Sequence, residues 1–491
     1  MAAILRDDRS PEDVRSWRRI ASRICALGGL ALLGAFWGSA VAVADLNALY
    51  LCVSLLGCVF ILRDFRIGVV LLILLLPLSR SSSDVFPHDM LGIRGLNPFN
   101  LLLVGTFGSC LLQGLFDGSL RRFVPRPLVW LYIAPILIAG ALGSRHVGDI
   151  PPFVFMYDTL QSHGAAGYLG AVVVKPLSMV VYALLVGAAV GKAAQPEKFL
   201  VPMVMSIWVM AFMVIVFVFL LGVTPEQMAS SESRDTLSPL GLHANDLGRL
   251  YAVAYALLLF MWPESKETGL RLALLASMGL VVVALILTFS RGAYLGFIVV
   301  NVLFLLWRRN ARTLIFLGVL GAVALFLFPG AVYERIGFGF GSGLDTISAG
   351  RIEGIWLPLL PEVLRSPVYG SGLRSTLWSE AMRQGIGWAG HPHNAYLEAV
   401  LDMGIAGLIL LCAYFAHVWK GFRALSVDPA LSATLRGFYL GAAAGLASFL
   451  VGAITDSSLR PVPEQAFLWL AIGMMYGQRA QRADRVPGRG R

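Results

Sequence analysis

Two imidazoles stand at the head of an apolar helix in HPHNAYLEAVLDMGIAG, residues 391–407. Imidazole titrates near neutral pH, so His391 and His393 are candidates for taking a proton from an attacking group. An H-x-H pair is also half of a metal site. No third ligand at helical spacing accompanies it, and no Asp-x-Asp on the same side offers to carry a divalent ion, so no metal is expected. Glu398 and Asp402 lie four residues apart, hence on one helix face, and turn into protein rather than lipid. There they orient a histidine, pair with Arg249, Arg291 or Lys175, or form a purely structural network.

Cations with anion-binding chemistry come next. In LTFSRGAYLGF, Arg291 sits between two apolar runs joined by almost no loop. A guanidinium at the bilayer centre costs at least about 2.5–3.5 kcal/mol, so it either snorkels to water as an anchor or meets an anion. Arginine binds phosphate oxygens bidentately, which makes an anion clamp the sharper reading. Arg351 precedes an apolar, aromatic stretch in SAGRIEGIWLPLLPEVLRSPVYGSG. Residues 352–364 predict a short amphipathic helix on the membrane surface, holding Arg351 over the mouth of a bundle; the alternative is a solvated loop arginine. LSPLGLHANDLGRLYAV adds His243, Asn245, Asp246 and Arg249. Asn245 and Asp246 fit a helix start as caps, with Arg249 one turn deeper and inward-facing.

Only one class of scaffold suits these groups. Of 491 residues, 57% are hydrophobic and 14% charged, and mean hydropathy is +0.74. That leaves too little polar surface for a water-soluble fold, while apolar windows of about 20 residues recur along the chain. The pattern predicts an all-α polytopic membrane protein of about 12–14 helices. Spans are expected near 25–43, 47–62, 67–79, 98–117, 128–142, 170–191, 199–222, 245–262, 272–289, 291–307, 313–329, 394–418, 436–455 and 465–478. The layout is a cytoplasmic segment 1–24, transmembrane helices over 25–329, an outer loop over 330–393 with interfacial helices, transmembrane helices over 394–478, and a basic tail over 479–491. The arginine-rich N-terminus, mixed with acids, reads as the flank of an uncleaved anchor. All five cysteines lie in apolar runs, which argues against a disulfide framework. Gly441 and Gly445 mark close helix packing.

Charge sets the orientation. Placing both termini in the cytoplasm puts most of the 39 basic residues in the short loops and terminal segments on that side. The net charge of +10 is therefore a matter of membrane topology, and nucleic acid is not an expected partner. Every histidine but His417 (His88, His146, His163, His243, His391 and His393) then falls on the outer side. A transporter would spread polar groups along discontinuous helices near the midplane. Here they gather at one face. Several cations, a base and few carboxylates beside lipid suit a polyprenyl-diphosphate sugar: apolar helices for the chain, arginines for the diphosphate, a base for an attacking hydroxyl.

The same residues resemble a known family. HPHNAYLEAVLDMGIAGLILL is similar to the signature of bacterial O-antigen ligases and polymerases: His-Asn, Leu, an acidic or amide position, then Gly-x-x-Gly. TFSRGAYLGF resembles that family's Ser-Arg-Gly helix start, LGLHANDLGRL its upstream Asn-containing motif, and GRIEGIW with SPVYGSGL its arginine-bearing loop ending in Gly-x-Gly. The resemblance covers roughly 235–415. It implies a fold similar to the GT-C glycosyltransferases and a metal-independent, inverting glycosyl transfer without cofactor. The implied donor is an undecaprenyl-diphosphate-linked glycan, and the acceptor is lipid A-core or a growing glycan. The implied location is the bacterial inner membrane, with the active site facing the periplasm. On this basis His393 is the expected base, and Arg291 and Arg351 bind the diphosphate as it leaves. His391, Asn394, Asn245 and Arg249 are expected to contact substrate, as are Lys175, Glu398 and Arg374. Two other classes compete. A lipid-linked sugar flippase would carry polar groups to both faces, and a non-catalytic subunit of an export complex would tolerate loss of the outer histidine.

Overall fold

Apolar runs become helices here, and the small polar residues at their heads become the caps. Asp64, Asn97, Ser290, Asn394 and Ser432 each accept a backbone N–H from the first turn that follows, which satisfies donors that have no partner within the helix. The computed structural model describes residues 46–76, 93–118, 124–152, 164–222, 243–309, 343–386, 389–456 and 458–485, with a few isolated positions between. The expected spans at 25–43 and 313–329, and His88 and His163, lie outside the described residues.

The helices that matter are α1 (Leu46–Arg63), α2 (Phe65–Leu75), α3 (Pro98–Asp117), α4 (Arg126–Gly143), α5 (Gly164–Gly191), α6 (Pro196–Leu220), α7 (Ala244–Met261), α8 (Thr268–Ile286) and α9 (Arg291–Trp307). They are followed by α10, a π-helical turn Ile352–Trp356 continuing as Leu357–Arg365, and by α11 (Ala395–Ser426), α12 (Ala433–Gly452) and α13 (Ala466–Arg485). Seven of the described helices are long and apolar enough to cross a membrane: α3, α4, α5, α6, α8, α11 and α12. The protein is an all-α polytopic membrane protein. Helix α2, expected over 67–79, is one 11-residue piece joined to α1 through Asp64 alone. At 1.5 Å per residue it reaches about 16 Å, half a bilayer. Helices α11 and α13 run past their expected ends at 418 and 478, and α11 carries Arg423 on its last turn.

Helix α7 is buried on nearly every side and lies along α12. Gly441 permits that contact, since a Cβ there would stand 2.6 Å from the Ala256 carbonyl oxygen. The expected tight packing at Gly441 and Gly445 is therefore a packing of α12 on α7.

Helix α11 is broken at Gly404, where φ is +67°. Two carbonyls near the break, Leu401 and Asp402, accept instead from Ser371 and Gly372 at 2.9 and 3.0 Å. The amides of Ile405 and Ala406 donate to Pro367 and Val368 at 2.8 and 3.2 Å. The loop 367–372 thus takes over the hydrogen bonds that helix geometry would have made across the break. Left-handed Gly370 and Gly404 are what let the two backbones approach so closely: a Cβ at Gly404 would lie 2.1 Å from the Val368 oxygen.

The two ends of the bundle differ. One end gathers the starts of α7, α9, α11 and α13 with the end of α12. The opposite end carries the Arg308–Glu264 ion pair, Arg423 stacked 4.5 Å above the Trp307 ring, and Arg271 5.6 Å from the Trp262 ring.

Candidate active site

The turn after α12, TDSSLR, is the meeting point. His393 Nδ1 lies 3.2 Å from Asp456 Oδ1. The other oxygen, Oδ2, accepts from Asn245 Nδ2 at 2.9 Å and lies 3.6 Å from an Arg249 nitrogen. Asn245 is fixed in turn by Ser290, whose hydroxyl donates to its Oδ1 at 2.9 Å. Arg351 donates to the carbonyl of Thr455, the residue before Asp456. Gly292, next to Arg291, faces the same turn: a Cβ there would meet Thr455 Oγ1 at 3.2 Å. Helices α7 and α11 and the residue before α10 therefore deliver Asn245, Arg249, His393 and Arg351 to Thr455 and Asp456, while α9 brings Ser290 and Gly292, the neighbours of Arg291, to the same place.

Local backbone explains how the histidines reach it. His393 has φ +49°, a left-handed conformation that costs a residue with a Cβ of order 1–3 kcal/mol unless the surroundings hold it. Its N–H donates to His391 Nδ1 at 3.3 Å, and the two rings lie 3.9 Å apart. Asn394 then caps α11, its side-chain oxygen accepting from Tyr396 and Leu397 at 3.0 Å each.

Charge at the site is uneven. Burial and the neighbouring His393 push the His391 imidazole down to about 4, so it is neutral at physiological pH. Burial would raise Asp456, but the hydrogen bond to His393 and the Arg249 guanidinium hold it well below the usual carboxylate range. Arg249 is buried and also meets Asp246 and Glu464. Burial, with Asp246 nearby, pushes Glu464 up.

Several expectations are corrected. Glu398 pairs with Arg460 at 2.7 Å, a partner supplied by the 458–462 loop, and not with Arg249, Arg291 or Lys175. Asp402 Oδ1 accepts from the Ser375 backbone and hydroxyl, at 3.0 Å each. His243, not Asn245, caps α7, its Nδ1 accepting from the Asn245 N–H at 3.2 Å. This leaves the Asn245 side chain to bridge Ser290 and Asp456. A carboxylate does accompany the H-x-H pair: His391, His393 and Asp456 each present a ligand atom, all within 4.8 Å of one another. Asp456 arrives from 63 residues away, which helical spacing cannot reveal. Among the described residues, those three are placed to hold a divalent ion. Arg374, with φ +65°, lies within electrostatic range of Glu398 and His391. Lys175 stands exposed partway along α5, and its expected role is not explained by this cluster.

Residues 273–412 match the family model described as O-antigen ligase. Over those residues the chain is similar to the O-antigen ligase family. No curated protein matches the chain. The O-antigen ligase match runs from α8 into α11 and includes Arg291, Arg351, Arg374, His391 and His393. Its site is completed from outside that stretch, by Asn245 and Arg249 before it and by Asp456 after it. Sequence reasoning missed Asp456, Arg460 and Glu464. Their signal was a polar run, TDSSLRPVPEQ, between two apolar spans at the end where the histidines gather.

Proposed function

We propose that this domain transfers a glycan from undecaprenyl diphosphate to an acceptor hydroxyl on the membrane face away from the cytoplasm. The acceptor is lipid A-core for a ligase or a growing glycan for a polymerase. The observation that carries the reading is the His393–Asp456 pair at 3.2 Å, flanked by Arg351 on the adjacent Thr455. With Nδ1 turned to the carboxylate, Nε2 takes the proton as the acceptor oxygen attacks the anomeric carbon. Asp456 fixes the ring and stabilises the imidazolium that forms, as a buried carboxylate does in a catalytic triad. The bond from that carbon to the diphosphate oxygen breaks in the same step, and attack from the opposite side inverts the centre. Arg291 and Arg351 neutralise the departing diphosphate. Basic loops at the opposite end of the bundle support a cytoplasmic assignment for that end and, with it, a periplasmic site.

The test is reconstitution of the full chain in liposomes with a polyprenyl-diphosphate oligosaccharide. A ladder on the lipid marks a polymerase; transfer to lipid A-core marks a ligase. Arg291→Ala, Arg351→Ala and His393→Ala are each expected to lower transfer by about 10²-fold or more while the protein still inserts. Wild-type product from all three variants would end the reading. Activity is expected to survive EDTA; loss on chelation, restored by a divalent ion, would move the role of His391, His393 and Asp456 from proton transfer to metal binding.

A further inference from the structure

Helix α10 touches both halves of the site. Arg351, just before its first turn, donates to the Thr455 carbonyl beside Asp456. One turn on, the Trp356 indole N–H donates to the Pro392 carbonyl at 2.8 Å. That carbonyl and the His393 N–H belong to one peptide group. The group is thus gripped at both ends, its C=O by Trp356 and its N–H by His391 Nδ1. A peptide plane held on both sides fixes the ψ of Pro392 and the φ of His393, the angle that lies in the left-handed region.

The helix has two apolar faces. Ile355 and Leu359 are buried against Leu401, Ala381 and Ala389. On the outer side Leu357, Leu360 and Leu364 are 52%, 48% and 78% exposed, and the strip continues through Val368 and Tyr369. Val368 accepts the backbone N–H of Ala406, beside Ile405 and Ile409, which are exposed on the membrane-spanning helix α11. The strip is therefore continuous with the exposed face of a helix long and apolar enough to cross the membrane, and Arg365 at its end is exposed and pairs with Glu362.

We propose that Trp356 is a positioning residue for His393, and that lipid acyl chains cover the outer strip of α10, so that seating this helix in the bilayer holds the histidine turn in its working conformation. The purpose of the device rests on the glycosyl transfer proposed above; its existence is read without that reaction. In nanodiscs, diethyl pyrocarbonate modification of the peptide containing His391 and His393 is followed by mass spectrometry, with His146 as the internal reference. Trp356→Phe keeps an aromatic ring and removes the donor. It should speed modification at 391–393 by roughly three- to tenfold, the range one hydrogen bond supplies, with His146 unchanged. Transfer kinetics should show a lower kcat at similar KM.

A second variant, Leu360→Glu with Leu364→Glu, alters only outward side chains and should give the same acceleration by unseating the helix. A nitroxide on Leu364→Cys, with the parent chain labelled in parallel to subtract Cys412, reports the occupant. Oxygen access exceeding nickel-chelate access means lipid. Access by the chelate means water, and access by neither means a protein partner or second copy; either overturns the lipid assignment. Unchanged modification at 391–393 in Trp356→Phe overturns the positioning role. An inactive wild-type chain with the expected modification pattern would refute the transfer reaction and leave this inference standing.

Discussion

Asp456 is where the α7 and α11 candidates meet. It carries a full negative charge against His393 while Asn245 and Arg249 hold its second oxygen. Asp456→Asn preserves the shape and removes the charge that favours an imidazolium. Transfer should fall by about 10²-fold with little change in KM, read from steady-state rates in liposomes. His391 yields a stability prediction. Its folded-state pKa of about 4 lies below the ordinary histidine value, so the unfolded chain binds the proton first as pH falls. The stabilisation is complete above about pH 6.5 and is lost towards pH 4, by at most about 3 kcal/mol. Melting temperatures of the detergent-purified protein should drop across that window, and His391→Asn should flatten the slope. An equally steep drop in the variant would assign the effect to other groups.

At the scale of elements, the break in α11 connects packing to chemistry. The close approaches at Gly370, to Asp402 and Met403, and at Gly404, to Val368 and Tyr369, place the 367–372 loop against α11, and the same loop leads into Ser375, which binds Asp402. Gly404→Ala puts a methyl group on backbone atoms that cannot move aside, in a left-handed conformation. It should cost roughly 2–4 kcal/mol, seen as a lower melting temperature in detergent. A variant as stable as the parent would show that α11 can be straightened without loss. The two glycines were readable in YGSG and MGIAG as motif letters only. Their purpose needed the partner loop, because a glycine's close contact is a property of two segments and the sequence displays one at a time.

For the whole molecule, the site lies at the end of the bundle opposite the aromatic–arginine contacts of α9 and α11. Orientation in the bilayer follows from that polarity and is open to direct measurement. Glu353→Cys, exposed at the start of α10, should react with a membrane-impermeant maleimide added to spheroplasts, and Arg309→Cys should react only after lysis. The reverse pattern would place the histidines in the cytoplasm and remove any periplasmic reaction. The all-α membrane class and the apolar runs that the described helices occupy were legible from the chain, since hydropathy is a local property that the bilayer enforces span by span.

Sequence alone thus determined that this chain crosses a membrane with many helices, and it singled out the HPH turn, Asn245, Arg249 and Arg351, which the structure brings to one turn. Only the tertiary structure decided which carboxylate serves the histidine, that Glu398 belongs to Arg460, and that a loop is threaded through a break in α11. The reason is physical. Exclusion of polar groups from lipid acts on each span separately, whereas a hydrogen bond between residues 393 and 456 exists only once α11 and α12 have packed and their ends lie side by side.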